Sequence, residues 1–362
     1  MFDNKPTRRS VLKTGATGFA LTALPTWFTT LSSAAEPERV PAKRFGPNDE
    51  VRIGLIGAGG RGVGVANWAH GKEGAKIVAV CDVDSKRAAD AAAKYGDVPA
   101  YNDYRDLLER NDIDAVINGG PDHWHSIQCV DAMNAGYDVY CEKPLTLTIR
   151  QGREIARAAQ ANKAVFQTGS QQRSDGRFRL AVQLCRNGRI GKIKNIQTRI
   201  PSPRTGGPFE AKPVPEQLDY NMWLGPAAWA DYCEERVHYN FRWWLDYSGG
   251  TLTDWGAHHN DIAQWVMDAD DSGPISVRGE ATSQEHTGHL SYSAFPTFDV
   301  FYEYSNGATL HCTSTGENGV MIEGTDGWIF VSRGKIEASS KDILEEPLPD
   351  NAKQVYVSND HM

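Results

Sequence analysis

The chain has 362 residues, which is long enough for two domains with separate hydrophobic cores. Its formal net charge is −8 and no basic stripe is visible, which argues against nucleic acid or an anionic membrane as partner. The six cysteines form neither a Cys-x-x-Cys pair nor a zinc-ligand pattern. We therefore predict no metal site and expect small buried thiols, with a disulfide formed after export as the alternative.

The first 35 residues resemble an export signal. The segment Thr7-Arg8-Arg9-Ser10-Val11-Leu12-Lys13 is similar to a twin-arginine motif, although Val11 stands where Phe is usual. A mildly apolar stretch, 14–31, and small residues at 33–35 follow it. Glycines and a proline interrupt the stretch, which disfavours a permanent anchor. We predict a signal peptide at 1–35, a linker at 36–50, the twin-arginine export machinery as partner, and a periplasmic or otherwise exported protein without membrane contact after cleavage.

A glycine-rich loop follows the apolar run 51–56 and precedes a helix-like segment at 63–70. A second apolar run at 76–81 then ends at Asp82. This order is typical of a βαβ unit that binds a dinucleotide, in which the carboxylate takes the ribose hydroxyls. Asp82 favours NAD over NADP, although Lys86 and Arg87 partly oppose that preference; glycines placed only for turns are the alternative. The predicted cofactor-binding residues of the loop are Gly57, Gly59, Gly60, Arg61 and Gly62.

The alternation of apolar runs with helix-like segments continues to about residue 169. Strands are predicted at 77–81, 115–118, 138–141 and 165–168, and helices at 86–95, 104–110, 126–135 and 150–161. The pattern predicts an α/β fold with a doubly wound parallel sheet, a Rossmann domain at 51–170.

The pattern changes in residues 171–362, where we predict an α+β domain with a mainly antiparallel open sheet. Helices are expected at 178–186 and 259–267, and strands at 193–200, 298–304, 309–313, 320–323 and 328–331. Asn306-Gly307 between two of these strands is a strong hairpin signal.

Lys143 follows the predicted strand 138–141 and precedes Pro144. Ligands bind at the carboxyl edge of an open α/β sheet, so this lysine is expected to point at the cofactor cleft. A lysine before a proline is by itself more often a surface residue.

Asp254 and His258 are four residues apart, and on a helix they share one face. Three interpretations remain open: Asp254 as a helix N-cap, His258 and His259 as metal ligands with Asp261, or an acid/base pair.

With these motifs in order, the sequence from Val51 to the last residue closely resembles the Gfo/Idh/MocA family of nicotinamide-dependent oxidoreductases. The resemblance rests on the glycine loop, the segments 121–125 and 142–144, and the spacing of Asp254 and His258. It implies Lys143, Asp254 and His258 as the catalytic set, and Pro121, His125 (in the loop after the strand at 115–118), Glu142 and Lys143 beside the cofactor. It also implies an open sheet that buries one face in a homo-oligomer, and a sugar, cyclitol or related polyol as substrate.

The chemistry expected of this set follows from the loss of a proton by an alcohol as it is oxidised. His258 is the predicted base, Lys143 the donor to the developing alkoxide, and Asp254 the residue that orients them. The predicted substrate-binding residues are Arg173, Tyr239, Arg242, Trp243 and His259.

These observations predict an exported oxidoreductase that transfers a hydride between tightly bound NAD and a polyol hydroxyl. A glycoside-cleaving enzyme that oxidises its sugar transiently is one alternative, and an inactive NAD-binding protein is another. Members of the family normally continue beyond the position of Met362, so the second domain is expected to be truncated.

Overall fold

The computed structural model describes residues 49–285 and 288–361. These residues belong to a single unit that spans Ala42–Met362. The predicted signal peptide and nearly all of the predicted linker lie outside the described residues. Among the described helices, none combines the length and the apolar character needed to cross a bilayer.

The first domain is built on a parallel sheet. Its described strands are β1 (Val51–Ile56), β2 (Ala75–Cys81), β3 (Ala100–Tyr101), β4 (Ala115–Asn118), β5 (Asp138–Cys141) and β6 (Phe166–Thr168), in the order β3-β2-β1-β4-β5-β6. The helices are α1 (Gly60–His70), α2 (Ser85–Lys94), α3 (Tyr104–Leu108), α4 (Asp122–Asn134) and α5 (Ile149–Asn162). The strands read as nearly continuous apolar runs because helices cover both faces of the sheet. The strand order reverses between β1 and β4, and ligands of such folds bind at this point. The Rossmann prediction is confirmed.

The second domain carries a mixed, mostly antiparallel sheet. Its described strands are β7 (Ile193–Arg199), β8 (Ser276–Thr282), β9 (Thr297–Glu303), β10 (Thr309–Thr313), β11 (Gly319–Gly324), β12 (Trp328–Val331) and β13 (Ile336–Ala338), in the order β13-β12-β11-β7-β10-β9-β8. Of these neighbours, β7 and β10 pair in parallel and the others are antiparallel. Asn306-Gly307 makes the predicted turn between β9 and β10, with Gly307 at φ +83°. The α+β prediction is confirmed.

Helices cover one face of this second sheet. The described helices of this domain are α6 (Gly176–Arg186), α7 (Tyr220–Leu224), α8 (Thr251–Asp254), α9 (Gly256–Val266) and α10 (Lys341–Glu345), of which α6, α9 and α10 pack against the sheet. Phe178 of α6 and Trp265 of α9 share a core with Ile196 of β7 and Ile322 of β11, and each of these four side chains is at most 1% exposed. The core fixes α9, and with it the segment that begins at Asp254, against the sheet.

Several elements differ from the sequence predictions. Helix α4 begins at Asp122 rather than at residue 126, so His125 lies in the first helical turn and not in a loop. Strand β8 was missed because its residues are exposed throughout and carry no apolar periodicity. The strands β3 and β13, of two and three residues, are too short to give a pattern. All six cysteines are buried and unpaired, as predicted.

Candidate active site

A cavity of about 640 Å³ lies between the carboxyl edge of the parallel sheet and the second domain. Its volume is within the range of small-molecule and cofactor sites. Residues of both domains line it, among them Gly57, Gly59, Gly60, Arg61, Asp82, Arg87, Gly119, Gly120, Pro121, Glu142, Lys143, Trp223, His238, Tyr239, Phe241, Arg242 and Asp254. The structure thus brings the predicted cofactor loop and the lysine after β5 to one cavity.

The glycine loop at this cavity is shaped by close backbone approaches. Gly57 has φ +84°, and a Cβ there would lie 2.6 Å from the Gly120 nitrogen. A Cβ on Gly62 would lie 1.9 Å from the Gly57 carbonyl oxygen. A Cβ on Gly60, in contrast, would meet no atom within 4 Å. Gly57 and Gly62 therefore let the loop fold, while Gly60 leaves open space at the cavity.

Helix α1 presents an N-terminus suited to a phosphate group. Its N-cap residue, Gly59, offers no side-chain acceptor, and its first turn contains no acidic residue. The backbone N–H groups of the first turn therefore lack a side-chain partner, and the helix dipole favours an anion there. Together with the open space at Gly60, this arrangement fits the pyrophosphate of a dinucleotide.

Asp82 lies at the end of β2 and lines the same cavity. Its Oδ1 accepts a hydrogen bond from the Asp84 N–H at 2.9 Å. Burial raises the pKa of Asp82 to about 6, against the opposing effects of this hydrogen bond and of the Arg87 guanidinium. Arg87 also lines the cavity, whereas Lys86 pairs with Asp90 on the surface at 2.8 Å. Of the two cations predicted to oppose the NAD preference, Arg87 is at the site.

Lys143 and Asp254 form an ion pair on the wall of the cavity. The Lys143 Nζ contacts the Asp254 carboxylate and also donates to the Asp254 carbonyl oxygen at 3.1 Å. The two side chains are 12% and 14% exposed. Arg242 Nε lies 3.5 Å from Asp254 Oδ1. Burial alone would raise the pKa of Asp254, but the charges of Lys143 and Arg242 outweigh it and lower that pKa.

His258 lies beside this pair and is 5% exposed. The backbone stays helical through Trp255, and the His258 N–H donates to the Trp255 carbonyl oxygen at 3.0 Å. Burial lowers the pKa of His258 to about 2, with further contributions from Lys143 and Arg333. Its Nδ1 is buried without a hydrogen-bond partner among the described residues. His258 is thus a neutral imidazole with one unused nitrogen, set back from the residues that line the cavity.

Arg61 joins the glycine loop to the segment that carries Lys143. Its Nε donates to Glu142 Oε1 at 2.8 Å, and Glu142 is 3% exposed. The guanidinium also lies 3.4 Å from the Nε2 of His361. The Arg61 guanidinium lies on the cavity wall, and its positive charge balances the buried Glu142 carboxylate.

The other predicted substrate-binding residues separate into two groups. Tyr239 and Arg242 line the cavity, with the guanidinium 4.5 Å from the tyrosine ring centroid. Trp243 is 5% exposed in a cluster of aromatic side chains and is not among the lining residues.

His259 and Arg173 lie elsewhere. His259 is fully buried, and its Nε2 is 2.8 Å from Asn318 Oδ1. Arg173 pairs with Asp261 and Asp270, both at 2.7 Å, beside a second cavity of about 460 Å³. Within the described residues no cluster of three potential metal ligands is found.

Sequence reasoning missed Gly119 and Gly120, which follow β4 and face the glycine loop. A Cβ on Gly119 would lie 2.5 Å from the Gly62 Cα. A pair of glycines directly after an apolar strand was the available signal. His238 also lines the cavity, and it lies far along the chain from the dinucleotide motif, so no local pattern marks it.

Comparison with known families agrees with this geometry. The model of the Gfo/Idh/MocA oxidoreductase family's NAD-binding Rossmann fold matches residues 51–170, and the model of its C-terminal alpha/beta domain matches residues 206–360. The chain belongs to the Gfo/Idh/MocA oxidoreductase family, and its first domain is an NAD-binding Rossmann domain.

Similar proteins of known name fall into two groups. A glycosyl hydrolase family 109 protein of Shewanella sp. strain ANA-3 is 44% identical over 112 residues, which is 28% of this chain and 25% of that protein. The match thus spans about a quarter of that relative. Inositol 2-dehydrogenase of Salmonella typhimurium strain LT2 is 27% identical over 272 residues, which is 75% of this chain and 71% of the relative.

Solved structures share the fold. Levoglucosan dehydrogenase, in complex with NADH and levoglucosan, superposes with a TM-score of 0.63 at 19% identity and covers 80% of this chain and 76% of its own. The WlbA dehydrogenase from Bordetella pertussis, in complex with NADH and UDP-GlcNAcA, gives 0.62 at 19% identity, with 80% and 82% covered.

Proposed function

We propose that this protein is an NAD-dependent oxidoreductase that acts on a CH–OH group of a sugar, cyclitol or related polyol. The observation that carries the proposal is the Lys143–Asp254 ion pair on the wall of the cavity that the glycine loop borders. The inositol 2-dehydrogenase relative supports the substrate class.

Bound NAD supplies a hydride acceptor, or as NADH a hydride donor, at the cavity. Lys143 donates a hydrogen bond to the substrate oxygen and stabilises the negative charge that develops on it. Asp254 holds the lysine in place through the ion pair and the bond to its carbonyl oxygen. His258 is the candidate acceptor of the hydroxyl proton; it is neutral, and its pKa of about 2 in this structure makes it a weak base.

A second function uses the same residues. The glycosyl hydrolase family 109 relative favours a redox-neutral reaction. In it the sugar is oxidised to a ketone, the aglycone is eliminated, water adds to the resulting unsaturated ketone, and the ketone is reduced again. This chemistry needs the same alkoxide donor and the same base. It differs in that the cofactor is restored at the end of each turnover.

We also propose that the protein is exported by the twin-arginine route with NAD tightly bound. That route carries folded proteins, so the cofactor can be acquired in the cytoplasm. Free NAD is scarce outside the cytoplasm, which favours a cofactor that stays bound. We propose in addition that the protein forms a homo-oligomer through its second domain.

A substrate panel tests the function and separates its two forms. Purified protein is incubated with free sugars, polyols and aryl glycosides, while cofactor absorbance and aglycone release are followed together. A dehydrogenase changes the cofactor in proportion to the substrate consumed. The cleaving enzyme releases aglycone with only a steady trace of NADH. Neither signal from any member of the panel, in protein shown to bind NAD, would favour an inactive binding protein.

A further inference from the structure

His125 is buried between the two loops that border the cavity. It lies in the first turn of α4 and is 1% exposed. Its Nδ1 is 2.8 Å from the Pro144 carbonyl oxygen, and its Nε2 is 2.9 Å from the Gly120 carbonyl oxygen. Gly120 lines the cavity, and Pro144 directly follows Lys143. One side chain thus connects the loop after β4, which contains Gly120, with the loop after β5, which contains Lys143.

Both contacts of this imidazole are to oxygens that can only accept hydrogen bonds. A neutral imidazole has one N–H and donates to one of them. Its other nitrogen would then set a lone pair against a carbonyl lone pair, at hydrogen-bond distance and away from water. An imidazolium donates to both oxygens, and such charge-assisted bonds are the stronger kind. The geometry therefore selects the doubly protonated ring.

The same helical turn contains a buried carboxyl group. Asp122 is 4% exposed, and its Oδ2 accepts a hydrogen bond from Ser248 Oγ at 2.6 Å. Burial raises the pKa of Asp122, and a positive charge on His125 opposes that rise. His123 has a pKa lowered by burial to about 4 and stays neutral. The turn therefore contains one acid and one candidate cation.

We propose that His125 is a positioning residue which, as an imidazolium, holds the Gly120 and Pro144 carbonyl groups and so fixes Lys143 relative to the bound cofactor. It acts through the backbone of these loops, since it does not line the cavity itself. The inference rests on the proposed function only where it concerns turnover. The changes that it predicts in NAD affinity and in amide exchange require only that the first domain binds NAD.

Two variants separate the two bonds. The amide nitrogen of His125→Asn can replace Nδ1, and that of His125→Gln can replace Nε2. Both remove the positive charge equally, so a difference between them reports the individual bonds. We expect His125→Asn to raise the Kd for NAD by about tenfold, more than it lowers kcat, because the bond to Gly120 is lost. We expect His125→Gln to lower kcat by about tenfold, more than it raises this Kd, because the bond to Pro144 is lost.

Hydrogen exchange makes the test independent of activity. The amides of Gly119 and Gly120 should exchange faster in His125→Asn, and those of Lys143 and of residues 145–147 faster in His125→Gln. Equal changes in both segments for both variants would show a merely structural role and overturn the proposal. If exchange separates the variants while no substrate turns over, the inference stands and the proposed function fails.

Neutron diffraction of the unmodified protein with NAD bound tests the protonation directly, even if neither variant folds. Deuterium on both ring nitrogens of His125 is the expected result. Deuterium on one nitrogen alone would overturn the proposal.

Discussion

Lys143 is the residue whose replacement tests the site most simply. In Lys143→Ala the developing alkoxide loses its donor, and we expect kcat to fall by about a hundredfold or more. His258→Ala should lower kcat on a similar scale, because the proton acceptor is lost. Steady-state kinetics with a substrate found in the panel measures both effects.

The matched control for this experiment is Lys194→Ala, which removes an exposed lysine of β7 in the second domain. Its kcat should equal that of the unmodified protein. Full activity in Lys143→Ala, or dependence on His259 in place of His258, would contradict the assigned roles.

Asp82 gives a pH dependence to cofactor binding. With its pKa raised to about 6, the carboxylate is ionised at pH 8 and mostly protonated at pH 5. The ionised form accepts hydrogen bonds from ribose hydroxyls more strongly, so NAD should bind about fivefold more weakly at pH 5. His238 at the same cavity has a pKa of about 4 and remains neutral over this interval. Calorimetric titration with NAD at the two pH values measures the change.

Asp82→Asn is the control for that pH dependence. Its affinity for NAD should be low and nearly the same at both pH values. A pH dependence that persists in this variant would assign the effect to another group. Tighter binding of NADP than of NAD by the unmodified protein would show that Arg87, not Asp82, sets the preference.

The sequence predicted the place of Lys143 at the cavity better than it predicted the pKa values and the burial of the site residues. Lys143 follows a strand of the parallel sheet, so its place at the carboxyl edge could be inferred from order alone. The pKa of His258 could not, because it depends on burial and on the charges of Lys143 and Arg333, which are distant in sequence. For the same reason the chain pattern did not separate Tyr239, at the cavity, from Trp243, in the aromatic core.

At the scale of elements, the turn from β1 into α1 depends on glycines with different tasks. Gly62→Ala places a methyl group against the Gly57 carbonyl oxygen, and we expect about 3 kcal/mol of lost stability or a failure to fold. Gly60→Ala meets no atom within 4 Å, so the fold should persist while NAD binds about tenfold more weakly. Chemical denaturation and NAD titration measure the two effects separately.

Gly64→Ala is a control in the same helix. A Cβ there also meets no atom within 4 Å, and Gly64 does not line the cavity. Stability should rise by roughly 0.5–1 kcal/mol, the usual helix preference of Ala over Gly, with unchanged NAD affinity. Equal losses of NAD affinity in Gly60→Ala and Gly64→Ala would contradict the placement of the pyrophosphate at the helix N-terminus.

Element prediction succeeded where burial leaves a pattern. The strands of the parallel sheet are apolar runs, and β9 and β10 were marked by alternation and by Asn306-Gly307. The start of α4 was placed too late, because Pro121 and two histidines precede its apolar positions and obscure the first turn. Strand β8 is set by pairing with β9 alone, which a local pattern does not record.

At the scale of the whole molecule, the two domains both contribute to one cavity, so the protein has to be folded to bind NAD. This agrees with a route that exports folded proteins. Replacement of Arg8 and Arg9 by lysine should leave the precursor in the cytoplasm, with its NAD bound. Cell fractionation with detection of the protein measures this. Mature protein outside the cytoplasm in that variant would remove the twin-arginine assignment.

The most direct test of the central claim follows hydrogen from substrate to cofactor. Purified protein with NAD is mixed with perdeuterated members of the panel, and the reaction is stopped within one turnover. The nicotinamide cofactor is then released, and its mass is measured by mass spectrometry. A dehydrogenase predicts a cofactor heavier by one deuterium once product has formed. The cleaving enzyme predicts the same label only before the hydride returns to the sugar, so samples are stopped at several times within the turnover. Both forms predict little or no label in Lys143→Ala. Product formed without a deuterium-labelled cofactor at any time in the series, or equal labelling in Lys143→Ala, would contradict oxidation at this site.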